Sequence, residues 1–406
     1  MTCVSRTLAQ MNKVFKPQQK AFTALLGALT RFRGKATMRN LSRYGAGSER
    51  QLRRWASQAF NFIELNRLHL AREQVIKRTP HGVAKGSPKQ AILLDATFLR
   101  KSGHCTEGLN YFHNGSSRAV NKLERGLEMT LLAVADLKER SAYALSMHQS
   151  LENKSALDIA KEEIKDNATK LRELARHVVA DGYYARESFV SALEDANLDL
   201  ITALRHDAAL RYLHVEPYTG RGRPKVYGNR LDYNDLSLFE YHDGLRSDSK
   251  VYSKIMNYSA WNRNILVVIQ VNPSGHRRII CSTDINLSPQ EVLELYEVRF
   301  QIEFLFRDAK QHTGLGDAQV LDSQGLVHFA NLSLVALNLL RIEDRQSALS
   351  QGVSLDQHVC SINRLKLRNY NDFLLRRFMA TLGLELKCAK VSMAYQEAQE
   401  FGLNAA

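Results

Sequence analysis

The segment AILLDATFL at residues 91–99 is a run of apolar residues that a single acid, Asp95, interrupts. A second segment of the same kind, HVVADGYYA at residues 177–185, carries Asp181. Short apolar runs of this length are typical of buried strands. A carboxylate inside such a strand is costly to bury unless a cation compensates it, and a divalent metal ion is one strong compensation. The alternative is that each acid simply ends its strand or pairs with a lysine or arginine.

The elements around these two segments predict an α/β fold. Residues 127–137 and 140–149 predict a hairpin, residues 152–175 and 186–196 predict helices, and residues 199–205 predict a further strand. The resulting order β-β-β-α-β-α-β, with acids on the first and fourth strands, resembles that of a ribonuclease-H-like domain. Such a topology implies a mixed sheet with flanking helices, although a fold alone does not determine a function.

The flanking segments differ in pattern from this α/β part. Apolar residues recur at helical spacing near the N-terminus, and a Pro/Gly/Lys-rich linker follows at residues 78–90. A weakly alternating pattern predicts a β-rich insertion, after which core-like strands and then helices resume. The sequence therefore predicts five regions: a helical region at 1–85, a first part of the core at 90–205, a β-rich insertion at 206–264, a second part of the core at 265–346, and a helical C-terminal region at 347–406.

Residues 288–314 predict one long helix that carries the second part of the site. Ser288 is a suitable N-cap, Pro289 suits the first helical position, and Glu291 completes a capping box. Gly314 marks the expected end of the helix.

Four residues of this helix share one face. At about 100° of rotation per residue, a stripe of about 60° contains Tyr296, Arg299, Glu303 and Lys310. An acid on such a stripe can hold a metal ion, while an arginine and a lysine beside it can bind the phosphates of a nucleic acid strand. The alternative is that Arg299 and Glu303, four residues apart, form an ordinary surface ion pair.

The spacing of these four residues, Y-x2-R-x3-E-x6-K, is the signature of a subgroup of bacterial insertion-sequence transposases of the DDE type, and residues 296–310 match it without a gap. LLDATFLRKSG at 93–103 and VVADGYYA at 178–185 resemble the family's motifs around its first and second catalytic aspartates. The resemblance spans about 90–345. Some relatives carry an acid directly after the first aspartate, where this chain has Ala96, but that acid is not a required ligand in the family pattern.

The resemblance implies a mechanism as well as a fold. Asp95, Asp181 and Glu303 are then expected to be the catalytic acids and to hold two divalent cations, Mg²⁺ with Mn²⁺ as a possible substitute. One cation would lower the pKa of the attacking water or 3′-hydroxyl, and the other would stabilise the leaving 3′ oxygen. The expected reactions are strand cleavage at terminal inverted repeats and strand transfer into target DNA.

The N-terminal region carries a possible DNA-binding motif. Two short helical patterns around Gly45 and Gly47 resemble a helix-turn-helix, and the second helix carries Arg50, Arg53 and Arg54 on one face. A small helical bundle with a basic exterior is the alternative.

A second basic candidate lies in the predicted insertion. Arg221 and Arg223 belong to the sequence RGRP at 221–224, which is the core of a minor-groove hook. A flexible basic loop would have the same composition.

Composition and charge narrow the class of partner. The 406 residues include 56 Lys plus Arg and 42 Asp plus Glu, a formal net charge of +14 that usually indicates a polyanionic partner. The five cysteines are far apart and form no CxxC pair, which argues against a disulfide framework or a thiolate zinc site. No stretch approaches a membrane span, and the N-terminus lacks the apolar segment of a signal peptide. We therefore expect no membrane association and a location in the bacterial cytoplasm, on the nucleoid when DNA is bound.

The expected partners follow from the resemblance. They are double-stranded DNA, both transposon ends and target, and a second copy of the chain, because two ends must be cut together. In such a homodimer on DNA, helices of the C-terminal region would contact the other protomer. Two alternatives remain: a catalytically idle DNA-binding protein derived from a transposase, and a metal-dependent nuclease that cuts DNA without joining it.

Overall fold

A computed structural model describes residues 2–11, 14–56, 58–80, 82–83, 88–115, 117, 121–214, 227–356, 358–385 and 389–403. The helices of this part of the chain run in the following order: α1 (Thr2–Gln10), α2 (Lys16–Leu29), α3 (Met38–Leu41), α4 (Glu49–Ala56), α5 (Phe62–Arg72), α6 (Ala156–Arg172), α7 (Glu187–Asp195), α8 (Pro289–Val298), α9 (Gln301–Asp308), α10 (Ser323–Ser350), α11 (Ile362–Leu382) and α12 (Ala389–Gln399). Short turns of π-helix follow α3 at Ser42–Ala46 and α9 at Ala309–Thr313.

Strands of the described residues form one mixed sheet. In chain order they are β1 (Gln90–Arg100), β2 (Asn110–His113), β3 (Leu123–Asp136), β4 (Ser141–Gln149), β5 (His177–Ala180), β6 (Asp199–Leu204), β7 (Leu210–Leu213), β8 (Tyr227–Arg230), β9 (Glu240–His242), β10 (Lys250–Tyr258), β11 (Arg263–Val271) and β12 (Arg277–Ser282). Their spatial order is β2-β3-β1-β5-β6-β12-β11-β10-β7-β8, with β4 beside β3 and β9 beside β10. The pairs β1–β5 and β5–β6 are parallel, and the other pairs are antiparallel. The predicted α/β fold with a ribonuclease-H-like mixed sheet and flanking helices is confirmed.

The two faces of the sheet are covered by different helices. Side chains alternate across β1, so Leu93 joins one buried cluster while Ile92 and Leu94 join the other. Helices α6 and α7 pack on the face of Ile92, and α8, α9 and α10 pack on the face of Leu93. The sheet is therefore buried on both sides, which is why its central strands are almost wholly apolar.

Helix α10 is the longest described helix and lies across the sheet beside β4. Its length and composition alone would allow it to cross a membrane, but 83% of its apolar window is buried inside the protein. Asn338 accepts a hydrogen bond from the Ala144 backbone N–H at 3.0 Å, and Asn331 accepts one from Met147 at 2.9 Å. The apolar character of α10 is thus that of a core helix.

The N-terminal helices share the hydrophobic core of the sheet. Phe22 of α2 and Leu65 of α5 belong to the same buried cluster as Phe329 of α10 and Leu93 of β1. The side chain of Asn66 donates a hydrogen bond to the Leu145 carbonyl oxygen at 2.8 Å, which ties α5 to β4. In the described part of the chain these helices thus belong to the same buried clusters as the sheet. The predicted division into a helical region at 1–85 and a following linker stays a prediction.

The strands of the predicted β-rich insertion pair with those of the core. Strand β10 pairs with β11 along nine residues, and β11 continues through β12 to β6. The strands of residues 210–258 therefore extend the central sheet, and the predicted boundary between 264 and 265 falls inside β11. Alternating patterns predict strands but do not indicate which neighbour a strand will pair with.

Candidate functional site

Asp95 lies in the middle of β1, an inner strand of the sheet. The strand pairs with β3 on one side, where Asp95 faces Leu131, and with β5 on the other, where Leu94 faces Ala180. Its Oδ1 accepts a hydrogen bond from the Ala96 N–H at 2.8 Å, and 18% of its side chain is exposed.

Asp181 is the first residue after β5. Its Oδ1 accepts a hydrogen bond from the Tyr183 N–H at 3.0 Å, so the side chain caps a short 3₁₀ turn at Gly182–Tyr184. The Thr202 hydroxyl donates to the Asp181 backbone oxygen at 2.9 Å and fixes this residue against β6. Leu94 of β1 pairs with Ala180 of β5, and the two strands are parallel. The next residue of each chain segment is an acid, so Asp95 and Asp181 lie side by side.

The helix that carries Glu303 begins as predicted but is not continuous. Ser288 and Glu291 form the predicted capping box, with Pro289 in the first turn. The helix is interrupted at Arg299 and Phe300, where the Phe300 N–H donates to the Glu297 oxygen at 3.2 Å, a spacing of three residues. The predicted single helix is therefore two helices, α8 and α9, joined by a tighter turn in which Arg299 and Phe300 keep right-handed helical backbone angles. Arg299 still contacts both Tyr296 and Glu303, as the predicted shared face requires.

The interruption places Arg299 between two of the predicted acids. Its Nη1 donates to Asp95 Oδ2 at 3.3 Å, and its Nη2 donates to Glu303 Oε1 at 3.2 Å. The guanidinium is mostly buried, with 17% of the side chain exposed, while 42% of the Glu303 side chain is exposed. Arg299 therefore forms the expected ion pair with Glu303 and also links this helical segment to β1.

The electrostatics of Asp95 show how closely these charges interact. Burial, and after it the negative charge of Asp181, raise the pKa of Asp95 to about 7. Arg299 acts in the opposite direction but does not offset burial. A carboxyl with such a raised pKa, beside a second acid, gains from a cation in the site.

Lys310 reaches β1 by another route. It lies on the π-helical turn Ala309–Thr313, and its Nζ donates to Thr97 Oγ1 at 2.8 Å and to the Phe98 carbonyl oxygen at 2.9 Å. Burial lowers the pKa of the Lys310 ammonium. Thr97 was not predicted as a site residue, although it follows Asp95 by two residues and therefore shares its face of the strand.

Tyr296 is buried, with only 6% of its surface exposed. The guanidinium of Arg278 lies 4.6 Å from its ring centroid, and that of Arg299 lies 5.8 Å away. In the structure its ring lies against Arg299. The interpretation of Tyr296 as a DNA-binding residue that packs or hydrogen-bonds near the phosphates stays a prediction.

The N-terminal arginines lie on α4, which begins after Ser48 as predicted. Arg50, Arg53 and Arg54 are exposed, and Arg53 forms an ion pair with Glu49 at 2.7 Å. Gly45 and Gly47 have positive φ angles of 81° and 101° at the turn before this helix. The predicted helix, turn and helix are present in this segment. The two arginines predicted in the insertion, Arg221 and Arg223, lie outside the described residues.

A second cluster of metal-ligating side chains lies at the other end of β5. Among the described residues, the group of three whose ligand atoms lie within 4.8 Å of one another is His177, Asp199 and Asp284, and the predicted acids do not form such a group. His177 Nε2 lies 3.1 Å from Asp284 Oδ2, and Arg176 Nε lies 2.7 Å from Asp199 Oδ2. Arg176 pairs with both Asp199 and Asp284, and His177 hydrogen-bonds to Asp284, so this network ties the starts of β5 and β6 to the segment after β12.

A comparison with known protein families matches the part of the chain that carries Asp95, Asp181 and Glu303. The model of the transposase DDE domain matches residues 86–339, which is more than half of the chain. This match covers β1, β5 and the helices that carry Glu303 and Lys310. No curated protein matches the chain. The chain belongs to the DDE transposase family.

Proposed function

We propose that the chain is a DNA transposase of the bacterial insertion-sequence type whose signature is Y-x2-R-x3-E-x6-K. Its reactions are strand cleavage at terminal inverted repeats and transfer of the cut strand into target DNA. The observation that carries the proposal is the geometry of Asp95, which lies beside Asp181 by strand register and is linked by Arg299 to Glu303.

Asp95, Asp181 and Glu303 are the proposed ligands of two divalent cations. Members of the family use divalent metals, and three carboxylates are the hard oxygen donors that Mg²⁺ and Mn²⁺ prefer. The raised pKa of Asp95 supports this fit, because the buried carboxylate lacks sufficient positive charge in the chain itself. When bound, the cations would lower the pKa of the attacking hydroxyl and stabilise charge on the leaving oxygen.

The basic residues of the site are the proposed phosphate ligands. Arg299 contacts both Asp95 and Glu303 in the chain alone, so cations in the site would free its guanidinium for a phosphate. The Lys310 ammonium lies against the same strand two to three residues beyond Asp95 and marks the path of the DNA backbone.

The partners and location are proposals of the same kind. We propose that α4, with its exposed Arg50, Arg53 and Arg54, contacts the transposon ends, and that Arg221 and Arg223 contact DNA as well. Two copies of the chain would hold two ends, in the cytoplasm of a bacterium and on its nucleoid.

The test is cleavage of a DNA end by single variants of the three acids. Asp95→Asn, Asp181→Asn and Glu303→Gln should each abolish Mg²⁺- or Mn²⁺-dependent cleavage while the binding of the end persists. Asp166→Asn, at an exposed position of α6, is the matched control and should cut normally.

Each alternative gives a different result. Normal cleavage by any of the three variants would contradict the assignment of that acid. Cleavage without joining by the unaltered chain would identify a nuclease, and DNA binding without cleavage would identify an idle derivative.

A further inference from the structure

The π-helical turn that carries Lys310 ends in a tightly packed corner. Gly314 terminates it in the left-handed conformation at φ 81°, and a Cβ there would overlap with Ala36. The Thr313 hydroxyl lies 2.9 Å from that of Ser333 on α10. As at any helix end, the last carbonyl oxygens of this turn have no partner within the helix and need one elsewhere.

Lys366 of α11 supplies one of these partners. Its Nζ donates a hydrogen bond to the backbone oxygen of His312, two residues after Lys310, and lies 3.5 Å from the ring centroid of Phe32. Only 7% of Lys366 is exposed, and this burial lowers its pKa to about 7. A lysine is rarely buried unless its ammonium is bound, so the His312 oxygen and the Phe32 ring compensate the cost.

This contact lies in the first turns of α11, where the helix is buried against the core. The buried residues of α11 are Ile362, Leu365 and Lys366, all in its first five positions, and the remainder of the helix is partly or fully exposed. Lys366 therefore joins the C-terminal region to the turn from which Lys310 reaches β1.

We propose that Lys366 is a positioning residue for DNA cleavage. By binding the His312 oxygen it fixes the π-helical turn, and so holds the Lys310 ammonium at Thr97 and Phe98, two and three residues beyond Asp95 on β1. The inference rests on the proposed function of Lys310 and extends it. Docking of α11 becomes a condition for the geometry of the active site.

A double-mutant cycle tests the proposal on the full-length chain. Lys366→Met keeps the aliphatic stem over Phe32 but removes the donor, and it should slow single-turnover cleavage of a DNA end by about 10- to 100-fold, the scale of a small misplacement. If Lys366 acts through Lys310, the same change in a Lys310→Met background should slow cleavage by less than about twofold, since coupled residues are not additive. Lys390→Met, at an exposed position of α12, is the charge-matched control and should leave the rate unchanged.

Other outcomes separate the possible failures. Equal losses of rate from Lys366→Met in both backgrounds would show a merely structural role and overturn the inference. Loss of cleavage from Lys310→Met but not from Lys366→Met would overturn it too, while leaving the proposed function intact. Unchanged cleavage in Lys310→Met would instead contradict the role proposed for Lys310.

A second variant keeps the test decisive if Lys366→Met does not fold. Lys366→Arg retains a cationic donor, so cleavage within about tenfold of the unaltered chain would support the inference. A folded Lys366→Arg chain with no cleavage but normal end binding would overturn it.

Discussion

Asp95 combines burial with a neighbouring acid, and this combination makes stability depend on pH. Its pKa is about 7 in the folded chain against an ordinary value of 3.8, so the folded state binds the proton more tightly. Between these values the unfolded chain has lost a proton that the folded chain retains, and the free energy of unfolding therefore falls as pH rises. This contribution levels off above about pH 7.

The variant Asp95→Asn, unfolded in the absence of divalent cations, tests this dependence of stability on pH. The variant lacks this titration, so its stability relative to the unaltered chain should increase from about pH 4 to about pH 7 and then stay constant. Urea unfolding at a series of pH values measures the difference. A difference that shrinks with rising pH would contradict the account. Adding Mn²⁺ should stabilise the unaltered chain more than the variant, because a ligand that binds only the folded state stabilises it.

Gly314 is a position where backbone conformation and packing act together. Its φ of 81° disfavours any side chain, and a Cβ would overlap with Ala36. Gly314→Ala should therefore lower the free energy of unfolding by about 1–3 kcal/mol. Gly316→Ala is the control, because a Cβ there meets nothing within 4 Å. Equal stability of the two variants, measured by urea unfolding, would show that the turn adjusts freely.

At the scale of elements, the sequence predicted what depends on local pattern. Asp95 and Asp181 could be found because each is an acid in an apolar strand, and α8 could be found because Ser288, Pro289 and Glu291 are a standard helix start. The break at Arg299 and Phe300 could not be predicted, since both residues are compatible with a continuing helix. At this turn Arg299 also makes a tertiary contact, its bond to Asp95 of β1, which no local pattern indicates.

Contacts between distant segments of the chain also could not be predicted from the sequence. An amphipathic helix such as α2 shows that one face is buried, but not that it packs on α10. Lys366 reads as one charge among many in α11, and only the fold shows that it is buried against His312 and Phe32. The register of β10 and β11 was hidden for the same reason, because alternation does not identify the partner strand.

At the scale of the whole molecule, the shared core predicts that the N-terminal helices and the sheet unfold together. Phe22 of α2 is fully buried, with its ring centroid 4.4 Å from that of Phe60 and 5.4 Å from that of His328 on α10. Phe22→Ala should cost about 3–5 kcal/mol and destabilise the entire chain. Phe15→Ala, which changes an exposed ring before the same helix, should have little effect.

The two tryptophans of the chain can measure this cooperativity. Trp55 lies on α4, and Trp261 lies between β10 and β11. The variants Trp55→Phe and Trp261→Phe each keep one tryptophan. Apart from any effect of the substitution itself on stability, the remaining tryptophan should report the same urea midpoint in both variants. Adding Phe22→Ala should lower both midpoints equally. A Phe22→Ala transition that moves only at Trp55 would show that the N-terminal helices fold as a separate unit.

Helix α11 carries a row of exposed apolar side chains. Leu374, Phe378 and Leu382 are spaced four residues apart on α11, so they lie along one side of it, and they are 44%, 61% and 55% exposed. Apolar side chains grouped in this way favour association, and the proposed concerted cutting of two ends requires two protomers.

Phe378→Glu combined with Leu382→Glu should therefore reduce the complex that holds two DNA ends by at least about tenfold, while binding of a single end persists. Sedimentation of the protein with a labelled end measures both species, and Leu238→Glu provides an exposed apolar control far away in the sequence. A paired complex that forms normally in the double variant would place the interface between protomers elsewhere on the molecule.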